Sequence, residues 1–265
     1  MTNLLSGVAL ITGAGSGIGQ STSMAFARHG VQKLALLDID DAGLETTAAL
    51  ISQQTNKRVE SLKIKIDVSD EKAIVQAIQK VVDAFGRIDI AINNAGIGGP
   101  IMESTKISTD EYRRVLDVNM IGLWVSQREE IRQMLGQSPI EIRPGVQSKG
   151  VIVNMSSIFG LISPSASTPA APYNTSKHGV IAITKNDANS FAKDGIRINA
   201  ICPGYVTTKN LAQAVTEDDV MRKELEKVPM GRLADPSEIA EAICFLASPM
   251  SSYMSGASLV IDGYC

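Results

Sequence analysis

The residues best suited to chemistry by type and spacing begin near the amino terminus. Thr12-Gly13-Ala14-Gly15-Ser16-Gly17-Ile18-Gly19 puts a glycine at every second position of a short loop. Glycine adopts positive φ without strain and lets backbone N–H groups approach a phosphate closely. A helix starting behind such a loop adds roughly half a positive charge at its N-terminus. No Gly-Lys-Ser/Thr follows, so this is not a mononucleotide P-loop. A tight turn alone would also use glycines, but position argues for more. The loop follows the apolar run at residues 8–11 and precedes Ile18, Thr22, Ala25 and Phe26, one face of a helix. Asp38 closes the next apolar run 19 residues beyond Gly19, where a carboxylate can accept hydrogen bonds from the adenosine ribose. It would repel a 2′-phosphate, and Ile39-Asp40-Asp41 supplies no cation to hold one. NAD is expected rather than NADP. A helix N-cap is the plainer reading of Asp38 or Asp40, and Asp40 could also serve as one.

These residues need elements to hold them. Apolar runs at 8–11, 34–38, 62–66, 88–93, 151–156, 196–202 and 259–262 read as strands. Between them lie stretches of helical period. Gly30 would stop the first helix, Ser69 would cap the third and Gly86 end it. Ser108-Thr109-Asp110-Glu111 is a capping box opening a long helix toward Leu135. Residues 173–193 form a helix stopped by Gly195, and Asp235-Pro236-Ser237-Glu238 opens the last one. Such alternation predicts an α/β fold, a doubly wound parallel sheet of seven strands in the order 3-2-1-4-5-6-7 with helices on both faces. One domain spanning 1–265 is expected. Residues 136–150 interrupt the rhythm as an expected exposed loop, and the charged stretch 207–232 as expected lid helices over a substrate.

Composition excludes several classes. With 25 basic and 28 acidic side chains the net charge is −3, which exerts no general pull on nucleic acid or anionic membrane. No apolar run nears the roughly 20 residues that cross a bilayer, and no secretory signal is visible. Cys202, Cys244 and Cys265 stand too far apart for a disulfide framework or a Cys-x-x-Cys metal knuckle, so no metal site is expected. A cytoplasmic setting follows as the expectation.

Added to the glycine loop, Asn93-Asn94-Ala95-Gly96 and Tyr173-x-x-x-Lys177 make the chain resemble the short-chain dehydrogenase/reductases, with their Rossmann-type sheet. The likeness extends through Asp67-Val68, Val118-Asn119-x-x-Gly122, the serines 156 and 157, Pro203-Gly204 and Ile261-Asp262-Gly263. It implies a hydride exchange between a secondary carbinol carbon and nicotinamide, with Tyr173 taking or giving the oxygen's proton. Tyr173 and Lys177 sit four apart on a helix and share a face. The lysine ammonium, together with the positive nicotinamide ring, would favour the phenolate. Ser157 would donate to the substrate oxygen, with Ser156 as fallback, and Asn119 would hold a relay water. The Ser157–Tyr173 separation is 16 residues, longer than in many relatives.

For the cofactor, the resemblance implicates Gly13, Gly15, Ser16, Gly17, Ile18, Gly19 and Asp38 around the diphosphate and ribose. It assigns Asp67 and Val68 to the adenine, and Asn93 and Gly96 to a place beside the ribose, while Asn94 braces the sheet. Tyr173, Lys177, Pro203, Gly204, Val206 and Thr208 fall to the nicotinamide half. Phe159, Tyr205 and Leu211 are candidate substrate contacts. Because residues 158–172 carry no charge, a neutral hydrophobic alcohol or ketone is expected. The alternatives are an enzyme of this fold coupling redox to cyclisation or isomerisation, and a non-catalytic NAD-binding regulatory module. Relatives suggest a homotetramer or homodimer, and the 136–150 insertion resembles that of fungal members in secondary metabolism. The family's terminal Asp-Gly-Gly reads Asp262-Gly263-Tyr264 here.

Overall fold

The structure, a computed structural model, describes residues 4–55, 59–207 and 219–264. Strands β1 (Val8–Thr12), β2 (Lys33–Asp38), β3 (Glu60–Lys65), β4 (Ile90–Asn93), β7 (Gly150–Met155), β8 (Ile196–Pro203) and β9 (Ser258–Ile261) form one sheet. Between β4 and β7 a separate pair intervenes, β5 (Ile140–Arg143) and β6 (Val146–Ser148). The sheet order is β3-β2-β1-β4-β7-β8-β9, parallel throughout, which is the expected order once the separate pair is set aside.

Alternation along each strand builds two cores. Ala9 and Ile11 of β1, with Ile90, Ile92, Val151 and Val153, face helices α1 (Gly17–Arg28) and α8 (Pro236–Ala247), meeting Phe26, Ile239 and Ile243. Val8, Leu10, Ala91 and Ile152 face the opposite side, where α3 (Glu71–Phe85) and α5 (Leu123–Gly136) supply Ile74, Val81, Ile131 and Met134. Both faces of a parallel sheet are thereby covered, which is why β1 is buried along its whole length. Helix α2 (Asp41–Thr55) packs beside α1, and α6 (Ala171–Phe191) beside β8.

Three local expectations change. Residues 136–150 are not a plain loop. They carry the antiparallel β5–β6 hairpin, turned at Pro144-Gly145 with Gly145 at φ 76°. Helix α3 is capped by Asp70, whose carboxylate accepts from the Lys72 and Ala73 amides, and not by Ser69. Ser69 instead donates twice to Asp67. The long helix does open at a Ser108–Glu111 capping box, as α4 (Thr109–Leu116), but Asp117–Gly122 is π-helical before α5 resumes. Gly122 is needed there because a Cβ would lie 2.2 Å from the Val68 carbonyl oxygen. Helix α7 (Asp219–Glu226) falls within the stretch expected as lid helices, of which residues 208–218 lie outside the described residues. No helix among the described residues is long and apolar enough to cross a membrane.

Candidate active site

The carboxyl ends of β1, β2, β4, β7 and β8 converge on one rim, and the glycine loop hangs from the first of them. Gly13 and Gly17 take φ of 67° and 52°, the left-handed region that L side chains avoid. Gly19 is required for a second reason: a Cβ would sit 2.0 Å from the Gly13 carbonyl oxygen. Side chains tie the loop down from behind. Asn94 donates to the Thr12 and Gly13 carbonyls at 3.0 and 3.2 Å, and the Thr12 hydroxyl accepts from the Asn94 and Ala95 amides. Thr47 donates to the Ala14 carbonyl at 2.8 Å. Ser16, the residue before α1, makes no side-chain capping bond. The first amides of α1 therefore face the rim without an intrahelical acceptor, an arrangement that suits a phosphate.

Asp38 lies directly over this loop. One carboxylate oxygen accepts from the Gly15 amide at 2.8 Å and the other from the Asp40 amide at 2.9 Å. A Cβ on Gly15 would come within 3.0 Å of that carboxylate. The carboxylate is half-buried and oriented, with lone pairs left for two hydroxyls. Asp67 is held by the Ser69 amide and hydroxyl, which draw its carboxyl below the usual range.

Asn93 departs from its expected place. Its side chain points beneath the rim, donating to Glu130 Oε2 at 2.9 Å and to Asn154 Oδ1 at 3.2 Å. Only its backbone remains on the cofactor side, because alternate residues of a strand face opposite ways. Glu130 is fully buried, and burial pushes its carboxyl up to about 8 against the opposing Asn93 hydrogen bond. Among the described residues, Asn93 Oδ1 and Glu130 Oε1 both lack a partner. Asn94 braces the sheet as expected.

Across the rim, β7 ends at Met155 and delivers two serines of opposite use. Ser156 turns inward and donates to the Lys177 carbonyl at 3.0 Å. Ser157 faces Tyr173 within hydrogen-bonding reach and also accepts from the Phe159 amide. This geometry favours Ser157 over Ser156 as the hydroxyl beside Tyr173. Lys177 is buried, donates to the Met155 carbonyl at 2.8 Å, and stands 5.4 Å from the centre of the Tyr173 ring. Burial pushes the Lys177 ammonium down to about 8. Burial raises the Tyr173 phenol, with the Ser157 hydrogen bond opposing, so Lys177 by itself does not lower it.

Asn119 sits fully buried in the π-helical turn. Its side chain makes three hydrogen bonds: Oδ1 accepts from the Ile97 amide at 2.8 Å, and Nδ2 donates to the Ile97 carbonyl and the Ser176 hydroxyl. It therefore clamps the loop after β4 to α6. Gly96 fits in the gap, since a Cβ there would lie 3.2 Å from Asn119 Oδ1 and 3.7 Å from Lys177 Nζ. After β8, Gly204 packs against the backbone of Asp262, where a Cβ would approach to 2.8 Å. Val206 is buried and bridges to Ala234, but the bridge uses Thr207 N–H and the Tyr205 carbonyl, so the Val206 amide points to the other side. Thr208 and Leu211 lie outside the described residues.

The extra residues between Ser157 and Tyr173 form a turn beside this rim. Asn174 holds it, donating to the Phe159 and Ile162 carbonyls at 2.7 and 2.9 Å. Phe159 and Tyr205 meet edge to face at 6.2 Å, so two of the three expected substrate contacts share one wall. Reading the sequence missed Glu224 and Lys227, which join that wall from α7 and the residue after it. Their signal was there, an acid and a base three apart on a helical stretch, but only the fold buries Glu224 and leaves Lys227 at the exposed edge.

A fold with this sheet order, a glycine cradle under an oriented acid, and a Ser-Tyr-Lys cluster across the rim defines a nucleotide-dependent oxidoreductase. The chain belongs to the short-chain dehydrogenase/reductase family: the family model described as enoyl-(acyl carrier protein) reductase matches residues 13–263. It is 36% identical over 269 residues to the short-chain dehydrogenase fogB of Aspergillus ruber, covering 98% of this chain and 96% of that one. It is 34% identical over 256 residues to the cyclohexanol dehydrogenase of an Acinetobacter species, covering 97% and 93%. The crystal structure of levodione reductase superposes with a TM-score of 0.87 at 31% identity, covering 97% of this chain and 96% of that one. The family uses a nicotinamide cofactor and performs alcohol–ketone redox chemistry in general.

Proposed function

We propose that this protein interconverts a secondary alcohol and a ketone on a small, neutral, mostly apolar substrate, with NAD as the preferred cofactor. The observation that carries the chemistry is the cluster of Ser157, Tyr173 and Lys177 facing the glycine cradle across the rim. NAD preference rests on Asp38, whose carboxylate is fixed over Gly15 where a 2′-phosphate would meet a negative charge. The cradle that a Cβ would fill, and the uncapped first turn of α1, fit the diphosphate. Bound nicotinamide supplies the hydride acceptor or donor and, when oxidised, a positive charge near the phenol.

The chain's own residues do the rest. Ser157 positions the substrate oxygen beside Tyr173, whose hydroxyl exchanges the proton with it. Lys177, anchored on the Met155 carbonyl, holds a positive charge beneath the ring and favours the phenolate when a further cation is present. Asn119 keeps Gly96 and α6 in register around Lys177. Residues 207 and 219–232, helix α7 among them, are the described part of the lid proposed for 207–232. The likeness to a cyclohexanol dehydrogenase favours a cyclic alcohol or ketone, and the fungal relative is consistent with a setting in secondary metabolism. A homotetramer or homodimer in the cytoplasm completes the reading.

The test is turnover of cyclohexanol and related secondary alcohols with NAD and NADP at matched low concentrations. The expected outcome is a higher kcat/KM with NAD. A higher kcat/KM with NADP would overturn the cofactor assignment. Tight NAD binding without any hydride transfer would favour a regulatory module.

A further inference from the structure

The wall shared by Phe159 and Tyr205 encloses a cavity of about 230 Å³, lined also by Ile158, Ile162, Glu224 and Val228. That is many times the roughly 10–15 Å³ that one water occupies, so a molecule with a single small ring has space there. Ile158 and Phe159 follow directly on Ser157 in the chain, so the cavity begins one residue beyond that hydroxyl, although neither Ser157 nor Tyr173 is among its described lining residues. Ile158, Phe159, Ile162, Tyr205 and Val228 form an apolar side, while Ser163, Ser165, Lys227 and Glu224 form a polar one on which Glu224 is the carboxylate. It is 94% buried, since its relative exposure is only 6%.

The two oxygens of Glu224 are used very differently. Oε1 accepts from the Ser165 hydroxyl at 2.8 Å, the Ser167 hydroxyl at 2.7 Å and Lys227 Nζ at 2.6 Å. Oε2 accepts from none of the described residues. Latching α7 to the turn 161–170 would be served by a neutral Gln, and a carboxylate costs more to bury. What the carboxylate adds is a second strong acceptor on the polar side of the cavity. The group stays ionised: the hydrogen bonds from Lys227, Ser167 and Ser165 outweigh the burial that would raise it, and hold its carboxyl below the usual range. Because Lys227 already balances the charge, the open oxygen calls for a neutral donor more than for a second cation. A substrate carboxylate would be repelled.

We propose that Glu224 Oε2 is a specificity site for a second hydroxyl group on the substrate, remote from the carbinol that reacts. The inference rests on the alcohol–ketone reading above and narrows it from an apolar ring to a hydroxylated one. The extra residues between Ser157 and Tyr173 then gain a purpose: they carry Ser165 and Ser167 across to orient this carboxylate.

The experiment compares cyclohexanol, the isomeric cyclohexanediols and the monomethyl ethers of those diols, in wild type and Glu224→Gln. At least one diol should exceed its own monomethyl ether in kcat/KM by about tenfold to a hundredfold, the range for a lost hydrogen bond to a charged acceptor. In Glu224→Gln the amide nitrogen can take the Oε2 position, and that preference should collapse. The diol-to-ether ratio in wild type needs no variant, so it decides even if Glu224→Gln fails to fold. No diol preferred over its ether would overturn the proposal, as would a preference that survives in Glu224→Gln. Equal losses on cyclohexanol and the diols would assign Glu224 to latching alone and also overturn it. If cyclohexanol turns over and no diol preference exists, only this inference falls. If no alcohol turns over, the functional reading falls and takes it along.

Discussion

The two halves of the rim are built on opposite principles. The nucleotide half is a shape made by backbone: Gly13 and Gly17 at positive φ, Gly19 against the Gly13 carbonyl, and side chains such as Asn94 and Thr47 gripping the loop from behind. The substrate half is a meeting of side chains from distant segments, with Phe159, Tyr205 and Glu224 contributed by three separate elements. A backbone cradle admits one ligand shape and tolerates little change. A side-chain wall can be rewritten residue by residue without disturbing the sheet, so related chains can share a cofactor site and differ in substrate.

The sharpest way to break this contrast is at Gly19. Gly19→Ala puts a Cβ 2.0 Å from a backbone oxygen that cannot swing aside. Overpacking of this kind costs about 1–3 kcal/mol. Displacement of the loop should also weaken NAD binding by more than about tenfold, the equivalent of 1.4 kcal/mol. Gly98→Ala is the matched control, since nothing lies within 4 Å of its added Cβ. Calorimetric titration with NAD and thermal melts of both variants check the pair. Equal effects at Gly19 and Gly98 would mean the cradle is not held by close packing. Glu224→Gln in the other half should instead change which alcohols are preferred and leave NAD affinity alone.

A smaller effect tests what lies beneath the nucleotide half. Glu130 is raised by burial from 4.5 to about 8. Between those values the folded chain binds a proton that the unfolded chain has released, so stability falls as pH rises through this window and levels off above it. Glu130→Gln keeps an acceptor for Asn93 Nδ2, gains a donor and cannot ionise. Its unfolding free energy relative to wild type should rise from pH 5 to pH 8, having gained on the order of 3 kcal/mol by pH 7 over its value below pH 4.5. A constant offset across that range would show that Glu130 is ionised in the folded protein.

The same contrast explains what could be read in the sequence. Strand order, the glycine loop, Asp38 and the Tyr173–Lys177 spacing were legible because each is local: a period, a turn, or two residues one helical turn apart. Even there, local pattern could not reveal which way Asn93 points, because register decides it and the strand is buried on both faces. Nor could it show the π-helical turn at Asp117–Gly122, at whose end Val68 approaches Gly122 across the fold. The 136–150 hairpin was hidden by Pro139 and Pro144, which suggest a loop until the turn at Gly145 pairs the flanks. Glu224 was hidden most thoroughly. In the linear chain it is one charge in a charged helical stretch, and only the packing of α7 against the turn 161–170 makes it part of a cavity wall.

Both halves exist to serve one proton and one hydride, and Tyr173 stands where they meet. The most direct measurement is therefore turnover and NAD affinity of Tyr173→Phe, which removes the hydroxyl facing Ser157 and leaves the ring beside Lys177. Turnover of cyclohexanol should fall by about 10²–10⁴, the usual share of a positioned acid or base. The dissociation constant for NAD should stay within about twofold, well under the 1.4 kcal/mol that marks a tenfold change. Activity retained near the wild-type level, or NAD binding lost together with turnover, would contradict the account.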